Sequence, residues 1–406
     1  PCLTSWVKQY YGTDFGDHRF YAQVCELILR LKGNFLWPAM WGWAFYADDS
    51  LNSKTADEMG VIIGTSHHEP MARNHEEWSR HRKEYGAWNY KTNQATLDKF
   101  FREGIERIKG KEDVVTIGMR GDGDEAMSAE ADTKLLQQVI ANQRKIITDV
   151  TGKKASNTPQ VWALYKEVLD YYDKGMRVPD DVTIMLCDDN WGNIRRVPNA
   201  KERKHPGGWG LYYHVDYVGA PRNTKWLNVT PSQNMCEQLK LAYNNGINRI
   251  WILNVGDLKP MEYPISLFMD MAWNIGRVQQ TGVTGHLSHF LSREFGAVSA
   301  SALLPLLQEH YRLAYIRKPE FMGHTRTEEK DPKYKIVTDL PWSEGEIRKR
   351  LSLYQALEDR AEVWSRRMPE TKRTAYFHLV QYPVQGASQM NKKCLYAQLA
   401  RHGKAD

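Results

Sequence analysis

Between residues 34 and 253, short apolar runs alternate with longer amphipathic stretches. Runs at 34–37, 61–65, 114–119, 160–164, 182–187, 210–215 and 249–253 are mostly apolar and are followed by polar residues. Near-continuous apolar strands are what a parallel sheet covered by helices requires. Over 20–32, Val24, Leu27, Ile28 and Leu31 fall on one helical face and Gly33 follows as a stop signal. The same spacing predicts helices over 97–109, 134–150, 168–175 and 235–244. Strands alternating with helices in this way predict a (β/α) barrel or a doubly wound sheet.

The two architectures differ in where polar residues collect. Here nearly every strand ends in them, as in Met119-Arg120-Gly121-Asp122-Gly123-Asp124-Glu125 and Cys187-Asp188-Asp189-Asn190. Site residues drawn from many strand ends favour the barrel, because a doubly wound sheet concentrates its site at one switch point. The chain has no G-x-G-x-x-G after its first strand and no P-loop, so a nucleotide site is not supported. After about Asn274 the pattern turns helical without strands, over 287–291, 300–314, 344–364 and 390–399, with a charged, proline-containing connector at 317–341. That predicts a helical bundle at 276–406 behind a barrel domain at 1–275.

Length supports this division, since 406 residues exceed a usual single domain. The 55 Lys and Arg against 49 Asp and Glu give a net charge of +6 without a clustered basic stripe, so no nucleic-acid partner is expected. Without an apolar run of about 18 residues, no membrane-spanning helix is expected either. Pro1 begins without the basic and apolar stretches of a signal peptide, which implies a removed leader or a fragment. Cys2, Cys25, Cys187, Cys236 and Cys394 are odd in number and lack C-x-x-C spacing, arguing against a disulfide framework and a structural zinc site. The 14 Trp and 21 Tyr against 11 Phe suit sugar binding, because a flat ring with a polar edge stacks on a sugar face and reaches a hydroxyl; large aromatics also fill ordinary cores.

Glycosidic cleavage usually needs two carboxyl groups flanking the bond, one to protonate the leaving oxygen and one to activate water or attack carbon. Glu69, Asp122, Asp124, Glu125, Glu167, Asp188, Asp189 and Asp257 all stand at strand ends or in the loops after them. Any one of them alone reads equally as a cap of the next helix. Arg120 could meet a substrate carboxylate in a planar two-point pair, or form an internal salt bridge to Asp122, Asp124 or another strand-end acid. His67, His68 and Glu69 are metal-ligand types, but adjacent histidines on an extended strand end point to opposite faces and the H-E-x-x-H spacing is absent. A hydrogen-bonding role toward a sugar hydroxyl is preferred, and no metal or other cofactor is expected. Three indoles in Trp37-Pro38-Ala39-Met40-Trp41-Gly42-Trp43 predict at least one aromatic available to a ligand, and Asn254 ends the last strand with an amide that can both donate and accept.

Several long motifs resemble glycoside hydrolase family 115. They are Gly64-Thr65-Ser66-His67-His68-Glu69-Pro70-Met71, the run from Thr116 to Glu125, the run from Gln160 to Val168, and Leu186-Cys187-Asp188-Asp189-Asn190-Trp191-Gly192-Asn193. His214-Val215-Asp216-Tyr217-Val218-Gly219 and the run from Trp251 to Glu262 belong to the same resemblance, which extends from Thr4 to about Leu399. It implies a (β/α)8 TIM-type barrel followed by a helical bundle. It also implies an inverting α-glucuronidase that acts on α-1,2-linked (4-O-methyl-)glucuronic acid of glucuronoxylan outside the cytoplasm, secreted or periplasmic. By the same resemblance Glu167 is the general acid, Asp124 its partner base and Arg120 a substrate-carboxylate contact, while Trp41, His67, Tyr165, Asp188, Asn190, Tyr217 and Asn254 line the pocket. A homodimer is compatible with it.

One departure bears on activity. The family's Asn-Asp-Glu run at the end of a first barrel strand would stand just before Pro1, and it is missing together with the flanking domains. Seven of eight strands then predict an open sheet edge. Two rival readings follow: a metal-dependent barrel hydrolase using the His67, His68 and Asp cluster, and a fragment that binds uronate without cleaving it.

Overall fold

The structure, a computed structural model, describes residues 2–127, 132–219, 227–323, 331 and 338–405. Among the described residues seven strands follow one another in sequence: β1 (Phe35–Leu36), β2 (Ile62–Ile63), β3 (Val115–Thr116), β4 (Gln160–Leu164), β5 (Thr183–Cys187), β6 (Trp209–His214) and β7 (Ile247–Asn254). β1 and β2 form a parallel pair, β3 to β7 form a five-stranded sheet in chain order, and a parallel bridge between Gly64 and Val114 links the two. The pairs from β3 to β6 are all parallel, with Val161 opposite Thr183 and Ile184 opposite Trp209. The result is a curled parallel sheet, a half-barrel surrounded by helices.

Every residue of β4 and β6 is buried, which explains why their sequences are apolar without alternation. One face packs on itself: Val114, Val161, Ala163, Tyr165, Met185, Tyr212 and Ile252 form a single cluster, edged by Phe35, Trp37 and Ile62. The residues between them, such as Trp162 and Trp209, face the helices and enclose Tyr172 at ring distances of 6.3 and 5.8 Å. Helices Gln94–Arg107 and Thr133–Thr151 bury the stripes Leu97, Phe101, Ile105 and Leu136, Ile140, Ile147.

Two compact units divide the chain. The first comprises Pro1–Cys187, Arg196–Tyr212 and Ala242–Ile252; the second comprises Asp188–Arg195, Tyr213–Leu241 and Leu253–Asp406. The loop after β5 and the last residues of β6 and β7 therefore go with the helical unit. Its core joins Tyr263, Leu291, Leu303, Tyr311, Tyr354 and Tyr376. Helices Glu262–Phe295, Ala297–Ile316 and Glu344–Arg367 supply most of it. The helical texture begins at Glu262, earlier than its sequence pattern suggests, because Asn274 and Gly282 break the helical angles and blur the apolar period. Much of the connector at 317–341 lies outside the described residues.

Candidate active site

In the first unit, the loops after β2, β3 and β4 carry the chemistry. After β2 the chain turns, Glu69 N donating to Ser66 O at 2.9 Å. This overturns the expectation that His67 and His68 point apart, which assumed extended backbone. Their rings lie 4.9 Å apart and both approach one oxygen of Asp124, His67 Nε2 at 2.9 Å and His68 Nδ1 at 3.8 Å. Ser66 Oγ stands 3.0 Å from His67 Nδ1 and orients that ring.

After β3 the chain folds into a tight acidic turn. Gly121 N donates to Glu125 O at 2.8 Å, and a Cβ on Gly121 would sit 2.5 Å from Ala126 O, so no larger residue fits. Gln143, buried on the Thr133–Thr151 helix, pins this strand end by exchanging two hydrogen bonds with the backbone of Gly118, at 2.7 and 2.8 Å. Arg120 follows, 3% exposed. Its Nε and Nη2 donate to the two oxygens of Glu167 at 2.9 and 2.7 Å, and its Nη1 donates to the carbonyl and carboxylate of Asp124. The internal pairing expected as one reading of Arg120 thus exists, and it is made with the two candidate catalytic acids. Asp122 is occupied differently, with His75 Nε2 at 3.0 Å and the Arg82 guanidinium, whose hydrogen bonds hold its carboxyl below the usual range.

Tyr165 follows β4 with its ring 4.2 Å from that of His67, and Lys166 precedes Glu167. Trp41 is 58% exposed and stacks on His68 at 5.2 Å and 17°, leaving its other face open. Left-handed backbone is uncommon for residues with a Cβ, yet Trp41, Asp124 and Lys166 all adopt it, with φ of 57°, 66° and 50°. Such conformations collect at functional sites because the surrounding structure must hold them. His68, which the sequence offered only as a metal-ligand type, joins this group. It is buried, neither ring nitrogen has a hydrogen-bond partner among the described residues, and burial with the nearby cationic groups holds its pKa well below the usual value.

His67, His68 and Asp124 offer three ligand atoms within 4.8 Å of one another, a spacing that could hold a metal ion. The Arg120 guanidinium already neutralises the Asp124 oxygen that such an ion would need. The donor set therefore fits an ion poorly unless Arg120 moves.

In the second unit, Asp188 is buried, with His214 Nδ1 2.5 Å from one oxygen and Gly192 N donating to the other at 2.7 Å. Both oxygens are thus engaged by the protein, and Asp188 fixes the His214 ring. The register that sets Cys187 opposite Tyr212 makes this cross-strand meeting legible once the sheet is known. Tyr217 is buried against Trp191 at 5.9 Å and His214 at 6.2 Å. Asn190 has φ of 71° and a buried Oδ1 without a hydrogen-bond partner among the described residues. Asn254 is joined to this group through its carbonyl, which accepts from Val215 N at 3.1 Å.

Of the expected residues, the first unit brings together Trp41, His67, Arg120, Asp124, Tyr165 and Glu167, and the second brings together Asp188, Asn190, Tyr217 and Asn254. No curated protein matches the chain. Among solved structures it is similar to a family GH115 4-O-methyl-α-glucuronidase with specificity for decorated arabinogalactans, at 45% identity and a TM-score of 0.93, covering 100% of this chain and 54% of that one. A GH138 enzyme targeting pectin rhamnogalacturonan II shares the fold at 11% identity and a TM-score of 0.58, over 94% of this chain and 53% of its own. The chain spans about half the length of these solved relatives. With its strand-end acids, paired histidines and stacked tryptophan in place, and with the family model of glycosyl hydrolase family 115 matching residues 1–321, the chain belongs to glycosyl hydrolase family 115.

Proposed function

We propose that the protein removes α-1,2-linked glucuronic acid or its 4-O-methyl form from a plant polysaccharide by inversion, with Glu167 as proton donor and Asp124 as the base that activates water. The observation that carries this reading is the convergence of both carboxyl groups on Arg120 at the ends of β3 and β4. Two acids held by one guanidinium supply the pair of carboxyl groups that glycosidic cleavage needs, and the guanidinium is the cation that a uronate could reach by exchange. His67 Nε2 lies 2.9 Å from Asp124 and would fix the orientation of the base. Trp41 offers the open aromatic face on which a sugar stacks, and Tyr165 a hydroxyl at the same strand end. The family resemblance assigns Asp188, Asn190, Tyr217 and Asn254 to sugar contacts as well.

The proposed catalytic domain is 1–275, a barrel of the (β/α)8 type, with a helical bundle at 276–406. We place the enzyme outside the cytoplasm; among the described residues no helix is long and apolar enough to cross a membrane. Glucuronoxylan is the proposed polymer. The solved relative's specificity makes decorated arabinogalactan the second one to test.

The test is release of uronic acid from both polymers by the chain and by Glu167→Gln. Loss of the donor should lower release roughly 100-fold or more while sparing an aryl α-glucuronide, whose leaving group needs less protonation. Equal losses on polymer and aryl substrate would remove the acid role from Glu167. Uronate binding without release by the unmodified chain would support a binding fragment instead.

A further inference from the structure

Arg120 offers a bound uronate no free donor edge. Its guanidinium is almost wholly buried and is spent on Glu167, at 2.9 and 2.7 Å, and on the carbonyl and carboxylate of Asp124. A third carboxylate cannot simply be added; it has to exchange with one already there. The two residents differ in how firmly they are held. Asp124 is anchored by its backbone carbonyl on Arg120 and by His67 Nε2 at 2.9 Å, whereas the Glu167 carboxyl has hydrogen bonds to Arg120 alone among the described residues. Glu167 is also the more exposed side chain, 24% against 18%. Its backbone follows Lys166 in the left-handed region, a position that resists regular helix and leaves Glu167 at the loop edge.

Building on the proposed function, we infer that the substrate's own carboxylate displaces Glu167 from Arg120 and thereby turns Glu167 from an internal counter-ion into the proton donor. In the two-point pair both Glu167 oxygens accept N–H groups, an arrangement with no place for a transferable proton. Exchange conserves charge on the guanidinium, because one carboxylate replaces another. The freed Glu167 takes a proton from solvent and passes it to the departing glycosidic oxygen as the bond to the sugar breaks. A neutral hexoside leaves Glu167 on Arg120, so it docks without arming the acid. Selectivity for uronates is then exercised at the chemical step, where binding energy of a remote group is most effective.

The experiment uses the full 406-residue chain and measures glucuronate and glucose binding to it and to the variants Glu167→Gln, Asp124→Asn and Lys166→Met. An amide at 167 cannot form the ion pair, so Glu167→Gln should bind glucuronate on the order of tenfold more tightly, with glucose unchanged. Asp124→Asn keeps the Glu167 pair and should gain far less. Unchanged or weaker glucuronate binding by Glu167→Gln would overturn the inference, and an equal gain in Asp124→Asn would reduce the effect to net charge and overturn it too. A loss in Lys166→Met without a gain in Glu167→Gln would place the uronate on Lys166, which also refutes exchange. A second measurement needs no variant: between a xylo-oligosaccharide carrying α-1,2-linked glucuronate and one carrying α-1,2-linked glucose, whose leaving hydroxyl needs a proton, the difference should lie in kcat, by at least about a hundredfold, with KM much less affected. Discrimination confined to KM would overturn the inference. Should Glu167→Gln be inactive on polymer yet bind glucuronate no better, the acid assignment stands and the exchange alone fails.

Discussion

Glu69 lies on the turn after β2, 2% exposed, accepting from His75 N at 2.9 Å and from the Asn74 amide at 3.4 Å. Burial outweighs these two bonds and pushes its carboxyl from 4.5 up to about 8. A carboxyl raised in the folded state binds more protons there than in the unfolded chain. Its contribution is therefore fully present below the unfolded value and is lost as pH rises toward the folded one. Between 4.5 and about 8 the loss amounts to about 1.4 kcal/mol per pH unit, or about 3 kcal/mol between pH 5.5 and 7.5. Glu69→Gln keeps the shape and the acceptor facing His75 but cannot ionise. Thermal unfolding of the two proteins, followed by intrinsic fluorescence across that range, isolates this residue, because other titrating groups cancel in the difference. The variant should gain on the unmodified protein by roughly 5–10 °C from pH 5.5 to 7.5, the conversion for a unit of this size. Parallel melting curves at all pH values would show that Glu69 is not held protonated, and the argument from burial would fail.

Two further outcomes test the site. Chelation should leave uronate release unchanged and the purified protein should carry substoichiometric metal, because Arg120 already occupies the charge position on Asp124; activity lost to chelator and restored by a divalent ion would favour the metal-dependent reading. Proton NMR of the first product from an α-linked substrate should show the β anomer, and early appearance of the α anomer would remove the water-activating role from Asp124.

The sequence by itself determined the repeating strand and helix pattern, because fully buried strands must be apolar along their whole length, as β4 and β6 are. It also determined which residues stand at strand ends, and so brought Arg120, Asp124, Tyr165 and Glu167 forward as candidates. Spacing could not determine their partners. Whether Arg120 serves a ligand or an internal acid depends on how β3 and β4 align, and the two-point pair with Glu167, 47 positions away, exists only once those strands are side by side. The histidine pair shows the same limit, since alternation holds only for extended backbone, and the turn closed by Ser66 and Glu69 swings both rings toward Asp124. In the sequence Asp188 reads as a strand-end acid and Gln143 carries no signal of its own. Tertiary packing decided their partners, because a buried polar group must find them wherever the fold places them, and these two found His214 and Gly118.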